Sequence, residues 1–311
     1  MTEPQQSIRK RLTQPLYQGV RNAIVGVVAT REDFGIDYDE PQGDPGLFGP
    51  DTATWKMHAD FPAMMSGGVC ALMLQTLHPR ALAGVLDHSN FRSDALGRLQ
   101  RTTMFVGATT YAPRQHAERI IQRVDQLHTK VKGKTRDGRS YSARDPELLT
   151  WVHCTEMLSF MRGYLTYRRP DLSVHWQDMY FDETRRIAEA LGATHVPDSR
   201  AAMDDYFESM LPELEFSERS RDTLSVLESM QLPIPAAGLS RRVFLGAGAA
   251  LLPDWSRTLI PRNRKQRAAD WAASQSLRRV APLIRGALSE GIAMRSARRM
   301  GRGAECLNFN N

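Results

Sequence analysis

Cysteine is scarce in this chain of 311 residues: Cys70, Cys154 and Cys306 are its three cysteines, and no two of them are close in sequence. An odd number without short spacing indicates neither a disulfide framework nor a zinc site. A reducing compartment fits this composition, so we expect a cytoplasmic protein. Residues 1–11 are polar and basic with no apolar segment behind them, which predicts no secretory signal. The most apolar late stretch, 243–253, is too short to span a bilayer, so no transmembrane segment is expected.

Several catalytic motifs are also absent. The chain has no His-Glu-x-x-His string for a zinc protease, and none of its eight histidines follows a glutamate by three residues, as a four-helix di-iron site requires. It has no Gly-x-Gly-x-x-Gly or Walker A string, so neither a dinucleotide nor a phosphate-loop enzyme is supported. A Gly-x-Ser-x-Gly nucleophile elbow is missing as well.

Strand signals are scarce, because β-branched and aromatic residues nowhere alternate between turn residues. Apolar residues make up 41% of the chain and charged residues 24%, which is typical of a folded protein. We therefore predict an all-α fold and one helical domain over residues 1–311. Apolar periodicity and capping residues predict helices at 62–77, 94–109, 113–132, 145–167, 173–191, 200–210 and 218–230, a basic loop at 134–140, and two or three basic helices after Pro235.

Positive charge is concentrated towards the C-terminus of a chain whose net charge is +6. The residues concerned are Arg257, Arg262, Arg264, Lys265, Arg267, Arg295, Arg298, Arg299 and Arg302. Two interpretations stay open, a solvated helical tail or a surface for an anionic partner. No aromatic residues interleave these arginines as a base-stacking platform requires, so nucleic acid is not expected as a partner.

His128 is the first candidate for a functional residue. The predicted helix 113–132 has an apolar stripe of Ala117, Ile120, Ile121, Val124, Leu127 and Val131, and His128 lies along it. A histidine in such a place is either a core residue with its hydrogen bonds satisfied or a metal ligand. A neutral imidazole in a dry pocket is what a haem iron requires on its proximal side.

Arg98 and Thr102 stand four residues apart on the predicted helix 94–109, so their side chains share one face. Together they are either a surface arginine with a threonine bonded to its own helix, or a charged donor and a hydroxyl directed into a cavity. In the second case they are suited to hydrogen-bond dioxygen.

The helix 145–167 carries a cluster of side chains capable of chemistry. Trp151 and Thr155 share one face, while His153 and Glu156 are neighbours at a spacing of three, so the carboxylate is placed to orient the imidazole. The alternative is that Trp151 packs in the core and His153 donates to a carbonyl.

These residues occur within an ordered series of motifs that resembles the MpaB-like oxygenase family, which includes the latex clearing proteins. The motifs are His78-Pro79, His88-Ser89-x-Phe91, Gly97-Arg98-Leu99-x-x-Thr102-x-x-Phe105-Val106, Arg123-Val124-x-x-Leu127-His128-x-x-Val131 and Asp145-Pro146-x-Leu148-Leu149-x-Trp151-Val152-His153-x-Thr155. The resemblance covers a family core of about 58–230. It leaves residues 236–311 as a basic helical extension.

The resemblance implies a globin-like helical core that binds haem b and an oxygenase that uses dioxygen. It assigns His128 as the proximal iron ligand, and it assigns Arg98 and Thr102 to the distal oxygen pocket. As further candidates we name His153 and Glu156 for proton transfer or for contact with the haem propionates, Arg101 and Arg162 for neutralising the propionates, and Trp151 for contact with the cofactor.

The chain also departs from the latex clearing proteins. Those proteins carry a glutamate upstream of the distal arginine that serves as a base, whereas here no glutamate occurs between His78 and Arg98, although this stretch contains the carboxylate of Asp87. Rubber cleavage is therefore not expected.

The predicted function is that of a haem b oxygenase or related oxidoreductase acting on a small or apolar organic molecule. Two alternatives stay open: a non-catalytic haem binder or gas sensor, and a helical scaffold without haem whose basic end binds an anionic partner. The sequence also leaves a homo-oligomer open.

Overall fold

The fold is all-α, as predicted. It is seen in a computed structural model that describes residues 14–15, 17–26, 35–89, 91, 93–230 and 237–309. Its helices are α1 (residues 17–26), α2 (Ala53–His58), α3 (Phe61–Gln75), α4 (Pro79–His88), α5 (Ala95–Tyr111), α6 (Arg114–His128), α7 (Pro146–Tyr167), α8 (Val174–Ala190), α9 (Arg200–Met210), α10 (Glu218–Ser229), α11 (Ala237–Ala249), α12 (Asp254–Leu259), α13 (Arg264–Ala287) and α14 (Ile292–Arg299).

Helix starts agree closely with prediction because short polar side chains cap them. Asp60, Asp94, Asp145 and Ser173 each accept a hydrogen bond from a first-turn amide, at the starts of α3, α5, α7 and α8. Such caps satisfy amides that have no partner within the helix, so they fix the first residue. Helix α4 was not predicted. It begins at Pro79, and His78 caps it by accepting from the Ala81 amide.

The predictions were wrong around the end of α6. This helix stops at His128, four residues before the predicted end, and the chain continues into a hairpin. Strands β1 (Lys132–Lys134) and β2 (Ser140–Ser142) pair antiparallel, with Gly133 opposite Tyr141. The segment 134–140, predicted as a basic loop, is therefore the turn of this hairpin together with one strand residue at each end.

Helices α3 and α7 form the centre of the fold and approach each other unusually closely. A Cβ added at Gly67 would lie 2.7 Å from the Ser159 carbonyl oxygen, and one added at Gly163 would lie 2.5 Å from the Ala63 carbonyl oxygen. Glycine is therefore required on both helices for this packing distance. Side chains of α3 and α7 supply much of the main hydrophobic core, and Trp151 of α7 is one of them.

The C-terminal helices belong to the same core. A Cβ at Gly248 of α11 would lie 2.5 Å from Cγ1 of Val69, so α11 packs tightly on α3. Leu252 and Leu277 are buried in the cluster that holds Trp151. The segment predicted as an extension is thus part of the main body of the fold.

The arginines of α14 are structural. Arg299 is 1% exposed and donates to the carbonyl oxygens of Tyr38, Asp44 and Tyr111. Arg295 pairs with Asp39, at 2.5 Å. The interpretation of a solvated tail is therefore wrong for this cluster, which fastens the arm 35–52 to α5 and α14.

No single helix in the described ranges is both long and apolar enough to cross a membrane. Helices α3 and α4 pass that test only when taken together, and they are bent by 105° at the break between them.

The α3–α7 contact can be tested with two neighbouring glycines. We expect Gly67→Ala to lower the free energy of unfolding by about 1–3 kcal/mol, because its methyl group would overlap backbone atoms of α7. Gly68→Ala is the matched control: its nearest contact would be Cε1 of Phe160 at 3.8 Å, and helix propensity should leave stability unchanged or raise it by up to about 1 kcal/mol. Urea denaturation measures both. Equal stabilities for the two variants would contradict the close packing.

Candidate functional site

A cavity of about 700 Å³ lies between α3, α4, α5, α6, α7, α8 and α10. Its walls are largely apolar, with Leu72, Val85, Phe105 and Val152 among them. Six of the eight candidate site residues predicted from the sequence line it: Arg98, Arg101, Thr102, His128, His153 and Glu156. Residues from α5, α6 and α7 therefore meet in one space, although they are up to 58 positions apart in the sequence.

His128 is the last residue of α6 and is half-buried. Its Nδ1 atom is buried and has no hydrogen-bond partner among the described residues. Burial lowers the pKa of this imidazole, with the charges of Arg144 and Arg98 acting in the same direction and Asp125 opposing them. The ring is therefore neutral at physiological pH, which leaves a lone pair free for a metal ion.

The apolar stripe predicted around His128 is only partly observed. Ala117, Ile120 and Ile121 are buried, but Leu127 is 52% exposed. The prediction was wrong for Leu127, which lies in the last turn of α6, one residue before the helix ends. His128 lies at the end of the buried face rather than in its middle.

Arg98 and Thr102 both face the cavity from α5. The Nε atom of Arg98 is buried and has no hydrogen-bond partner in the part of the chain that the structure describes. Burial lowers the pKa of this guanidinium, and the nearby charge of Arg101 adds to that effect, while Glu156 opposes it. A cation with an unused donor thus stands at the cavity wall.

Glu156 contributes a carboxyl group that ionises near neutrality. Burial raises its pKa to about 7, although a hydrogen bond from Gln75 and the charge of Arg98 both favour the ionised form. A carboxyl group with such a pKa can accept or release a proton near neutral pH.

His153 is buried beside the cavity, and burial lowers its pKa to about 4. Its Nε2 atom is sealed and has no partner among the described residues. Burial alone accounts for the pKa shift of His153, and no hydrogen bond between Glu156 and this ring is seen among the described residues, so the expected orientation of the ring by Glu156 is not observed.

Two of the predicted cofactor residues lie away from the cavity. Trp151 is fully buried, with its ring 5.6 Å from that of His78 and 5.8 Å from that of Phe207. Arg162 donates to the carbonyl oxygens of Leu251 and Leu252. Both side chains connect α7 to its neighbours in the core.

The sequence analysis missed His58, which also lines the cavity. Its Nδ1 lies 2.8 Å from the Thr110 hydroxyl and its Nε2 lies 2.9 Å from the Tyr180 hydroxyl. Because Thr110 donates its own proton to the Val106 carbonyl, Nδ1–H must be the donor to Thr110, and Nε2 accepts from Tyr180. Burial lowers the pKa of His58 to about 3. These partners are 52 and 122 positions away, so no local pattern indicates them.

A second cavity of about 300 Å³ adjoins the first. It runs between α3, α5, α7 and the segment 288–293, and its lining is mainly apolar. The two cavities share His58, Leu72, Gln75, Phe91, Arg98, Thr102, Val106 and Glu156. The polar groups of the candidate site therefore lie at the boundary between the first cavity, which has both polar and apolar walls, and the second, whose walls are mainly apolar.

Comparison with known proteins gives one family. Searches of curated proteins and of solved structures returned no match. Residues 55–286, well over half of the chain, match the family described as "ER-bound oxygenase mpaB/B'/Rubber oxygenase, catalytic domain". The match begins in α2 and continues beyond residue 230 almost to the end of α13, in agreement with the packing of those helices into the core. The chain therefore belongs to the MpaB and rubber oxygenase family of catalytic domains, as its motifs predicted.

Proposed function

We propose that this oxygenase domain depends on haem b, with His128 as the iron's protein ligand, and that it oxidises a small apolar organic molecule with dioxygen. The observation that carries the proposal is the meeting of His128 with Arg98 and Thr102 in one cavity. The nitrogens His128 Nδ1 and Arg98 Nε are buried there without hydrogen-bond partners among the described residues. Buried polar atoms without partners are costly, so they often mark the position of a missing ligand or water.

The cavity suits a porphyrin in size and character. Its volume of about 700 Å³ lies within the range of roughly 300–1,000 Å³ that is common for ligand and cofactor sites. No group of three or more His, Cys, Asp or Glu side chains that could hold a bare metal ion occurs in the described ranges. A porphyrin brings four nitrogens of its own, so one protein side chain would be enough to hold its iron, and a neutral His128 would be that side chain.

The position of the two rings also favours His128 over His153. His128 is half-buried at the end of α6, whereas His153 is 8% exposed in the middle of α7, so the His128 ring is the more accessible of the two. Arg101 lines the same cavity, is half-exposed and lies 3.3 Å from Asp94. Such an arginine at the cavity rim can pair with a haem propionate.

When bound, haem would supply the reaction with dioxygen, and the protein would supply the surroundings. Arg98 and Thr102, one turn apart on α5, would donate hydrogen bonds to oxygen atoms that gain negative charge. Burial strengthens this effect, because a donor in a low-dielectric site interacts more strongly than one in water.

Glu156 is the residue that we propose for proton transfer. The two carboxylates between His78 and Arg98 are engaged elsewhere. Asp87 accepts from the Tyr141 hydroxyl at 2.8 Å and from Arg219 at 2.7 Å, and Asp94 caps α5 and pairs with Arg101 at 3.3 Å. Glu156 instead lines both cavities. An apolar substrate in the second cavity would therefore meet Arg98, Thr102 and Glu156 at its inner end.

A visible spectrum tests the ligand. Protein expressed with ample haem should show a Soret band, and His128→Ala should lose or shift it, because the iron loses its axial imidazole. His153→Ala is the matched control from the same cavity and should keep the band. A band unchanged in His128→Ala and lost in His153→Ala would overturn the assignment, and colourless wild-type protein would overturn the haem proposal.

The titration of Glu156 predicts a pH-dependent stability. Because burial raises the folded-state pKa from 4.5 to about 7, the stability that the protonated carboxyl group contributes is present below pH 4.5 and is lost as pH rises to about 7. Glu156→Gln should therefore match the wild type near pH 4.5 and exceed it above pH 7 by up to roughly 3 kcal/mol.

Urea denaturation at several pH values measures this difference. Glu208→Gln, which removes an exposed carboxylate from α9, is the control for the loss of one charge. A Glu156→Gln advantage that does not change between pH 4.5 and pH 8 would show that the carboxyl group does not titrate in that window.

A further inference from the structure

Helix α13 carries a straight line of large exposed side chains. Arg264, Trp271 and Arg278 are spaced by seven residues, which is close to two helical turns, so they lie along one stripe. Trp271 is 66% exposed, and Lys265 and Arg279 are exposed beside this stripe. We call these five residues the α13 face.

The α13 face keeps its positive charge. In the described part of the chain none of its four cations forms an ion pair, whereas Arg262 at the start of the same segment pairs with Asp270, and Arg285 near the end of α13 pairs with Asp60. The cations of α14 are likewise paired with acids or carbonyl groups. Contacts within the fold therefore account for the arginines of α14, whereas no ion pair among the described residues accounts for the cations of the α13 face.

The opposite side of α13 is fixed to the core. Asp270, Ser274, Leu277 and Ala281 are buried there. The backbone that carries the α13 face is therefore fixed before any partner binds, so binding does not require this helix to fold.

An apolar opening lies next to these charges. Val280, 41% exposed, also lines a third cavity of about 530 Å³ between α1, α3, α11 and α13. This cavity shares Phe61, Met65 and Leu99 with the second cavity, which in turn reaches Arg98 and Glu156. Adjoining, mainly apolar spaces thus extend from beside the α13 face to the candidate site.

We infer that the α13 face docks this protein on the surface of an anionic lipid bilayer. Lipid phosphates match the four unpaired cations, and tryptophan favours the membrane–water interface, where its ring is apolar and its N–H is solvated. A bilayer also has acyl chains to contact the apolar opening beside Val280, whereas a nucleic acid or an acidic protein surface has no such apolar group. The surface stands on its own residues and does not depend on haem.

Sedimentation with vesicles tests this surface. At about 0.1 M salt we expect the full chain to sediment with phosphatidylcholine vesicles that contain about 30% phosphatidylglycerol, and to stay in solution with pure phosphatidylcholine. The double variant Arg278→Ser with Arg279→Ser should lose more than about tenfold in vesicle affinity, because each basic residue near such a surface contributes about fivefold.

Two controls make the result specific. Lys134→Ser with Arg136→Ser removes the same charge from the exposed hairpin and should bind vesicles nearly as the wild type does. Brominated lipids should quench tryptophan fluorescence in the wild type and much less in Trp271→Phe, since of the other four tryptophans Trp55 and Trp151 are fully buried, and Trp176 and Trp255 are partly buried and lie outside the α13 face.

Three outcomes would overturn the proposal. One is no sedimentation with either kind of vesicle. Another is an equal loss of affinity in the α13 and hairpin variants, which would indicate a response to net charge alone. The third is tighter binding to a duplex DNA probe than to the anionic vesicles, which would identify a nucleic acid as the partner. The Soret band of the same samples reports separately on the haem proposal.

Discussion

The close contact between α3 and α7 is the constraint on which the rest of the structure depends. Gly67 and Gly163 allow the two helices to approach until backbone meets backbone. Helix α7 then presents His153 and Glu156 to the cavity, and α3 presents Gln75 opposite them. Because protein interiors are packed as densely as crystals, a shift of this pair would change the cavity walls as well as the core.

The cavity collects polar groups that folding alone disfavours. Arg98 loses hydration there, and burial brings the pKa of Glu156 to about 7. The neutral rings of His128 and His153 each keep a buried nitrogen without a partner in the described part of the chain. Burying such groups without partners costs free energy, so their presence together in one cavity is typical of a functional site rather than of a core that only stabilises the fold.

The basic C-terminal region divides into two surfaces with different roles. The arginines of α14 satisfy carbonyl groups and carboxylates of the arm 35–52, and Arg299 is almost completely buried in doing so. The α13 face keeps its charges and exposes Trp271. Net charge and sequence position do not distinguish the two clusters, because an acid that neutralises one of them, Asp39, is more than 250 positions away.

The sequence by itself determined the all-α fold, most helix starts and the family, because caps, apolar periodicity and collinear motifs are local signals. It also placed Arg98 and Thr102 on one helix face, since a spacing of four does so in any α-helix. Only the tertiary structure decided which candidates share a cavity, removing Trp151 and Arg162 and adding His58. That choice depends on contacts between residues far apart in the chain, and periodicity carries no information about such contacts.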